Sequence, residues 1–268
     1  MKYIAFLILL GATTFMVSPI HAGPVEIRMA YEDTALPPFY LGEGTRIPEK
    51  PGIAVEMLQL LDEQLPEVRI VFRRVPWKRC QRELGAGQVD AIFPGSFNTS
   101  RQKIGVYPTR NAQPDALRGI ISLSYYFYVL KNTPVSWNSG RLELKGVIGA
   151  PTGYSVVGYL REMGLEVDDH ATTTMQNLLK LTINRVQAVA AQDVSADPLI
   201  QSEPKFKNVI KLFPPINTKP NFLIFSHPFF REHPQLAEHI WSELQVIQKV
   251  HFERLSHRYK RLDLAAGN

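Results

Sequence analysis

The sequence predicts an α/β fold organised as two similar units. Three observations carry that expectation. Strand-like segments alternate with amphipathic helical ones, a pattern that pairs strands in parallel. A phrase of helix, stop and strand over residues 77–93 returns over residues 175–191. Between and after the two phrases lie further strands, enough for each unit to form its own small sheet.

In chain order, residues 25–29 alternate apolar and polar side chains with period two, as a half-buried strand does. A turn-rich loop runs from Glu32 through Pro37, Pro38 and Gly42 to Pro51 and Gly52, where paired prolines exclude a helix interior. Ala54, Met57, Leu58, Leu61 and Leu65 then mark one helical face that ends before Pro66. Residues 69–75 read as a strand. Trp77, Cys80 and Leu84 give a short helix with Gly85 and Gly87 at its C-terminus, and residues 89–93 a buried strand. In the second phrase Met175, Leu178, Leu179 and Ile183 share a helix face, Asn184 is a left-handed stop, and residues 186–191 form a strand. Between the phrases lie an aromatic-rich strand within residues 119–131 and a strand over 145–149 that runs into a glycine turn. Pro214, Pro215 and Pro220 mark a connector, residues 222–225 a strand, and Leu236, Ile240, Leu244, Ile247 and Leu255 a long amphipathic helix.

Lys2, the apolar run 4–10 and the small residue Ala22 have the layout of a signal peptide over residues 1–22, cut after Ala22, with an uncleaved membrane anchor as the alternative. Gly11, Thr13 and Thr14 break the run short of the roughly 20 apolar residues a spanning helix needs. No cysteine lies near the cut for lipid attachment, so the mature chain is expected to be soluble and periplasmic. Cys80 is the single cysteine, which excludes an internal disulfide and leaves the fold to its core. Hydrophobic residues make up 45% and charged residues 21%, as in an ordinary globular protein. The net charge of +5 raises nucleic acid as a partner, but the basic residues are scattered. Their densest group, Arg254, Arg258, Lys260 and Arg261, reads as the solvated face of the last helix, so no nucleic acid is expected.

Chemistry is expected where strands hand over to helices, since α/β folds bind ligands there. Ser96, Phe97, Asn98, Thr99, Ser100 and Arg101 follow the strand read as ending near Phe93. Hydroxyl and amide groups there can cap a helix whose N–H groups favour an anion, and Arg101 can grip a carboxylate with two hydrogen bonds. An ordinary N-cap beside a surface arginine accounts for the same spacing. Thr152, Gly153, Tyr154 and Ser155 form a second strand-to-helix turn, in which the glycine lets backbone approach a ligand. Gln192 and Asp193 form a third, read either as a partner for a ligand ammonium or as a helix cap. No phosphate loop, His-Glu-x-x-His or Gly-x-Ser-x-Gly motif occurs, and His227, His233, His239, His251 and His257 are too dispersed for a metal site. No catalytic residue, metal or cofactor is therefore assigned.

The order of these pieces resembles the family 3 extracellular solute-binding proteins, the polar amino-acid receptors of ABC importers, over nearly all of the mature chain. The resemblance rests on Pro37-Pro38-Phe39, Gly52 opening a helix, the Gly-Gln-Val-Asp-Ala-Ile core of residues 87–92, Thr99 to Arg101, Gly153-Tyr154-Ser155, and Phe225-Ser226 before the last helices. It implies a type II periplasmic-binding-protein clamp with two crossover strands near Ser122 and Asn217. Residues 23–121 and 222–268 would form one lobe and 122–221 the other. It further implies that Arg101 binds a ligand carboxylate, helped by the turn of Gly153, Tyr154 and Ser155, and that an acidic residue in the Gln192-Asp193 region binds an ammonium; Ser96 and Thr99 join the candidates from the strand-to-helix segment that carries Arg101. A monomer serving an ABC permease or a membrane sensor follows from the same resemblance.

This chain departs from the family pattern at three places. The Thr99-to-Arg101 spacing is one residue tighter. Gln192 rather than Asp193 aligns with the ammonium position, which admits a ligand without an amino group. Leu36 stands where an aromatic often stacks on the ligand, leaving Phe39, Tyr40 or Trp77 as substitutes, with Trp77 read as core alongside Cys80 and Leu84. Two other readings use the same clamp. A cyclic-acid dehydratase-like enzyme would need a buried carboxylate in the cleft, for which Glu32, Asp33 and Asp193 are the candidates. A sensory module would report the ligand to a membrane partner.

Overall fold

The computed structural model describes residues 23–138 and 140–266; the expected signal peptide lies outside the described residues. The first half runs β1 (Val25–Glu32), α1 (Ile53–Gln64), β2 (Val68–Val75), α2 (Trp77–Gly85), β3 (Ala91–Ser96), a hairpin of β4 (Thr109–Arg110) and β5 (Gln113–Pro114), and β6 (Ile121–Leu130). Then come β7 (Ser136–Asn138), β8 (Arg141–Glu143), β9 (Ile148–Gly149), α3 (Ser155–Glu162), β10 (Val167–Asp168), α4 (Thr174–Thr182), β11 (Ala188–Gln192) and α5 (Asp193–Ser202). The chain closes with β12 (Val209–Lys211), β13 (Asn217–Phe225), α6 (His227–Glu232) and α7 (Pro234–Ala266).

Strand β1 pairs in parallel with β2 along its whole length and with β3 at Met29 and Ala30, while β9 pairs in parallel with β10 and β11. These are the parallel groups that alternating strands and helices predict. They are not separate sheets, however. The order β10-β9-β11-β6-β13-β3-β1-β2 is continuous, because β6 and β13 run antiparallel to their neighbours and stitch the two groups together. Pro220 belongs to β13 and not to a connector: it faces Ser122 of β6, one residue before Asn221 gains its second partner, Ser96 of β3. With a neighbour on one side only, the strand tolerates the missing N–H there.

The core follows the same division. One cluster packs α1 and α7 on β1 through Ile27, Met29, Leu58, Leu61, Ile240, Trp241 and Leu244, and a second gathers Cys80, Leu84, Ile92, Phe222 and Ile224. Two further clusters form around Phe127, Ile148, Leu160 and Ala190, and around Tyr128, Leu178, Val189 and Phe206. The basic group on α7 is not wholly solvated. Arg258 pairs with Glu56 of α1, while Arg254, Lys260 and Arg261 are exposed.

The loop between β1 and α1 is held in place by its own backbone. Gly52, at φ 107°, brings the Pro37–Pro38 segment back onto the start of α1; a Cβ there would lie 2.6 Å from the Phe39 carbonyl oxygen. The N–H groups of Ile53 and Ala54 donate to the carbonyls of Pro38 and Phe39, and that of Gly52 to the Tyr259 hydroxyl. The loop that carries Leu36 and Tyr40 is thereby fixed by the unpaired donors of a helix N-terminus.

Candidate ligand-binding site

Where β3, β6, β11 and β13 lie side by side, register collects polar groups. Gln192 faces Tyr125 across the β11–β6 pair, and Asn221 faces Ser96 across the β13–β3 pair. Period two along β6 puts Leu123 on the face of Tyr125. These five side chains line one cavity together with Pro94, Glu32 at the end of β1, Leu36 and Tyr40 from the pinned loop, Trp77 of α2, Arg101, Tyr154 and Ser155. Its volume is about 20 Å³, room for about one water.

Strand β3 runs to Ser96, past the Phe93 end read from the sequence. The segment after it is a short 3₁₀ helix, Thr99–Lys103, in place of a full α-helix, and the Asn98 side chain caps it by accepting from Ser100 N. This tight turn sends Arg101 inward and leaves Thr99 exposed. Arg101 is 5% exposed, and its guanidinium donates to the carbonyl oxygens of Ser96 and Gly153, both at 2.8 Å, and to Gln81 Oε1 at 3.3 Å. It also lies 5.4 Å above the Trp77 ring. Trp77 thus belongs to the core, as its spacing predicts, and to the cavity wall as well, which the spacing does not reveal.

The Gly153 turn meets α2 directly. Its φ is +78°, and a Cβ would come within 3.0 Å of Gln81 Nε2, which itself donates to the Gly153 carbonyl. The turn delivers Tyr154 and Ser155 at the head of α3. The Ser96 hydroxyl donates to Ser155 Oγ at 2.7 Å, and the Tyr154 hydroxyl donates to Glu32 Oε2 at 2.5 Å. Tyr40 donates to the same Glu32 oxygen at 3.2 Å. Glu32 is 5% exposed. Burial pushes its carboxyl up to about 7, against the hydrogen bonds from Tyr154 and Tyr40, which hold it down.

Of the residues that the sequence nominates, the cavity therefore gathers Arg101, Ser96, Tyr154, Ser155 and Gln192. It does not gather Thr99, Asp193 or Phe39. Asp193 opens α5, and its carboxylate accepts from the next N–H, that of Val194. Phe39 packs into the core beside α1, while Leu36 and Tyr40 take the wall. Glu32, named in the sequence only as a possible catalytic acid, and Tyr125 and Asn221, not named, are the additions. A signal for the last two exists in the strand alternation of β6 and β13, but it is diluted by aromatics on both faces of β6.

No family model matches the chain, and no curated protein matches it. Solved structures do. A histidine kinase sensor domain with similarity to periplasmic binding proteins aligns at TM-score 0.69 and 14% identity, covering 88% of this chain and 96% of that one. The substrate-binding protein of an amino acid ABC transporter aligns at TM-score 0.62 and 14% identity, covering 88% and 96%. An ancestral amino acid-binding protein, a precursor of cyclohexadienyl dehydratase, aligns at TM-score 0.63 and 12% identity, covering 87% and 95%. At such identities the likeness shows the fold: the two-lobed α/β clamp of type II periplasmic binding proteins.

Proposed function

We propose that this chain is a periplasmic solute-binding protein that closes on a small polar ligand, an amino acid or related carboxylate, without transforming it. The observation that carries the reading is the cavity itself, where a buried arginine and hydroxyl and amide side chains from four strands and two turns converge at a place where the fold brings its two groups of strands together. Residues 23–121 with 222–268 act as one lobe and 122–221 as the other, hinged on β6 and β13. Ser96–Ser155, Arg101–Gly153 and Glu32–Tyr154 then become bonds across the cleft, made on closure and exchanged for bonds to ligand. Arg101 takes the carboxylate, with Ser96, Tyr154, Ser155 and Gln192 around it. After cleavage at Ala22 the protein works as a monomer beside an ABC permease or a membrane sensor; the aligned ABC receptor and kinase sensor domain each support one of these partners.

A thermal-shift series on the protein from Gly23 against amino acids, small carboxylates, amines and oligopeptides tests the reading. Ligand at a hundred times its Kd is expected to stabilise by about 2.7 kcal/mol, and Arg101→Ala to abolish the shift. No shift with any of these compounds, or a shift untouched by Arg101→Ala, rejects it. One observation favours a second reading: Glu32 supplies the buried acid that a dehydratase on this clamp requires. Recovery of bound ligand unchanged after long incubation separates binding from that chemistry.

A further inference from the structure

We infer that Glu32 receives the cationic nitrogen of the ligand, so that the end of β1, and not the end of β11, makes the site select amine-bearing carboxylates. The inference rests on the solute-binding reading and specifies its ligand. Among the cavity-lining residues Glu32 is the only carboxyl and Arg101 the only cation. They do not neutralise each other, since no ion pair joins Glu32 to any cation among the described residues. Arg101 is occupied by carbonyl oxygens, whereas both donors to Glu32 address Oε2 and none addresses Oε1 among the described residues.

A carboxylate can accept about four hydrogen bonds, and a buried one without a counter-charge is costly. A guanidinium and a carboxyl that border one small space without pairing are complementary to a ligand carrying a carboxylate and an ammonium, the carboxyl giving up its proton as the ammonium arrives. The β11 end offers no competing charge: the Gln192 amide donates to the Tyr125 hydroxyl, and Asp193 is outside the cavity.

The approach to Glu32 has the same sign. Glu32 also borders a second recess of about 290 Å³ lined by two further acids, Asp33 and Glu43, against one cation, Lys78. The titratable groups that bear on the Glu32 carboxyl are Tyr40, Tyr154, Asp33 and Glu43, with Tyr125 and Cys80 coupled to it from β6 and α2, while the buried Arg74 guanidinium of β2 is turned to the Glu32 main-chain carbonyl, to which its Nε donates at 3.3 Å. Both acids raise its proton affinity while the cleft is closed on itself, and both attract a cation. A ligand larger than water cannot enter a space of about 20 Å³ unless the walls part, and the Tyr154 hydroxyl must then leave Glu32. The ligand nitrogen takes its place as donor. Because the closed cleft holds Glu32 protonated below about pH 7, binding at pH 6 releases a proton.

Calorimetric titration of the protein from Gly23 decides this, using the standard L-amino acids, each beside its des-amino acid and its decarboxylated amine. For the amino acids that bind, the des-amino acids are expected to be at least 30-fold weaker in the wild type and within threefold in Glu32→Gln. Proton release at pH 6, read from enthalpies in buffers of different ionisation heat, is expected in the wild type and lost in the variant. Glu32→Asp, which keeps the charge, should keep the discrimination and serves as the control for folding. Equal binding of amino acids and des-amino acids by the wild type, or discrimination that survives in Glu32→Gln, overturns the inference and leaves the solute-binding reading standing. No binding by any compound overturns both.

Discussion

Strands β1 and β11 end in the same way and leave different chemistry behind. In each, the last residue, Glu32 or Gln192, lines the cavity, and the acid that comes next, Asp33 or Asp193, does not. The two ends lie on opposite sides of β6, β13 and β3 in the sheet. What separates them is charge at the buried position. Gln192 is neutral and offsets its desolvation with a bond to Tyr125. The Glu32 carboxyl has two tyrosine hydroxyls and, among the described residues, no paired cation, since Arg74 addresses the main-chain carbonyl, and it keeps its proton to about pH 7. A nearby acid in the sequence therefore says little about the field inside the cavity; the residue on which the strand stops decides it.

Stability against pH is the sharpest way to test that contrast. The folded chain holds the Glu32 proton to about pH 7, whereas an exposed glutamate releases it near 4.5, so the folded state binds more protons across that window. Stability should fall as pH rises from about 4.5 to about 7 and level off above, by on the order of 3 kcal/mol if Glu32 acts alone. Urea unfolding of ligand-free protein at several pH values measures this, and Glu32→Gln should remove the slope. A slope that persists in Glu32→Gln would mean that Glu32 is no more perturbed than an exposed acid, and the two strand ends would be equivalent.

The other end gives a smaller effect without pH dependence. Gln192→Leu removes the donor to the Tyr125 hydroxyl, a buried group on a central strand, and should cost about 1–2 kcal/mol at every pH between 5 and 8. A loss that varied with pH over that range would show that Gln192 is coupled to Glu32, and the ends would have to be treated as one network.

Much of this arrangement is legible in the sequence, and the exceptions share a cause. Alternation marks β1 only as far as Met29, because beyond it both faces of the strand are covered, Ala30 by one core cluster and Tyr31 by another, and Ala30, Tyr31 and Glu32 are all buried. The pattern fades where the strand reaches the site, so Glu32 reads as loop. Strand β3 is buried at all six positions and contains Pro94, which hides its continuation to Ser96, so that Ser96 is nominated from the sequence as part of a turn and not as the end of a strand. Residues whose role depends on local turn chemistry are easier to find: Asn184 is left-handed, at φ 56°, and Gly153 makes its tight turn. The two prolines before Phe39 point to a place in the site, but the pinning of that loop on Gly52 puts Phe39 in the core and Leu36 at the cavity. Helical spacing identifies the buried face of α2 without telling that Arg101 packs over Trp77.

Asp193 offers the smallest effect and the most direct check on the contrast between the strand ends. Its carboxylate bonds to the N–H of Val194 in the first turn of α5, where a negative charge is favoured by the helix dipole. Asparagine keeps an acceptor at the same place and removes only the charge, so Asp193→Asn should change stability by no more than about 0.5 kcal/mol. Ligand affinity should change by less than twofold, because the side chain is outside the cavity and its charge is partly exposed and screened. A drop of tenfold or more for an amine-bearing ligand would place the cation at the β11 end after all, with Asp193 turning inward when the clamp holds its ligand; an unchanged affinity, beside a large change in Glu32→Gln, would fix the negative pole of the site at the end of β1.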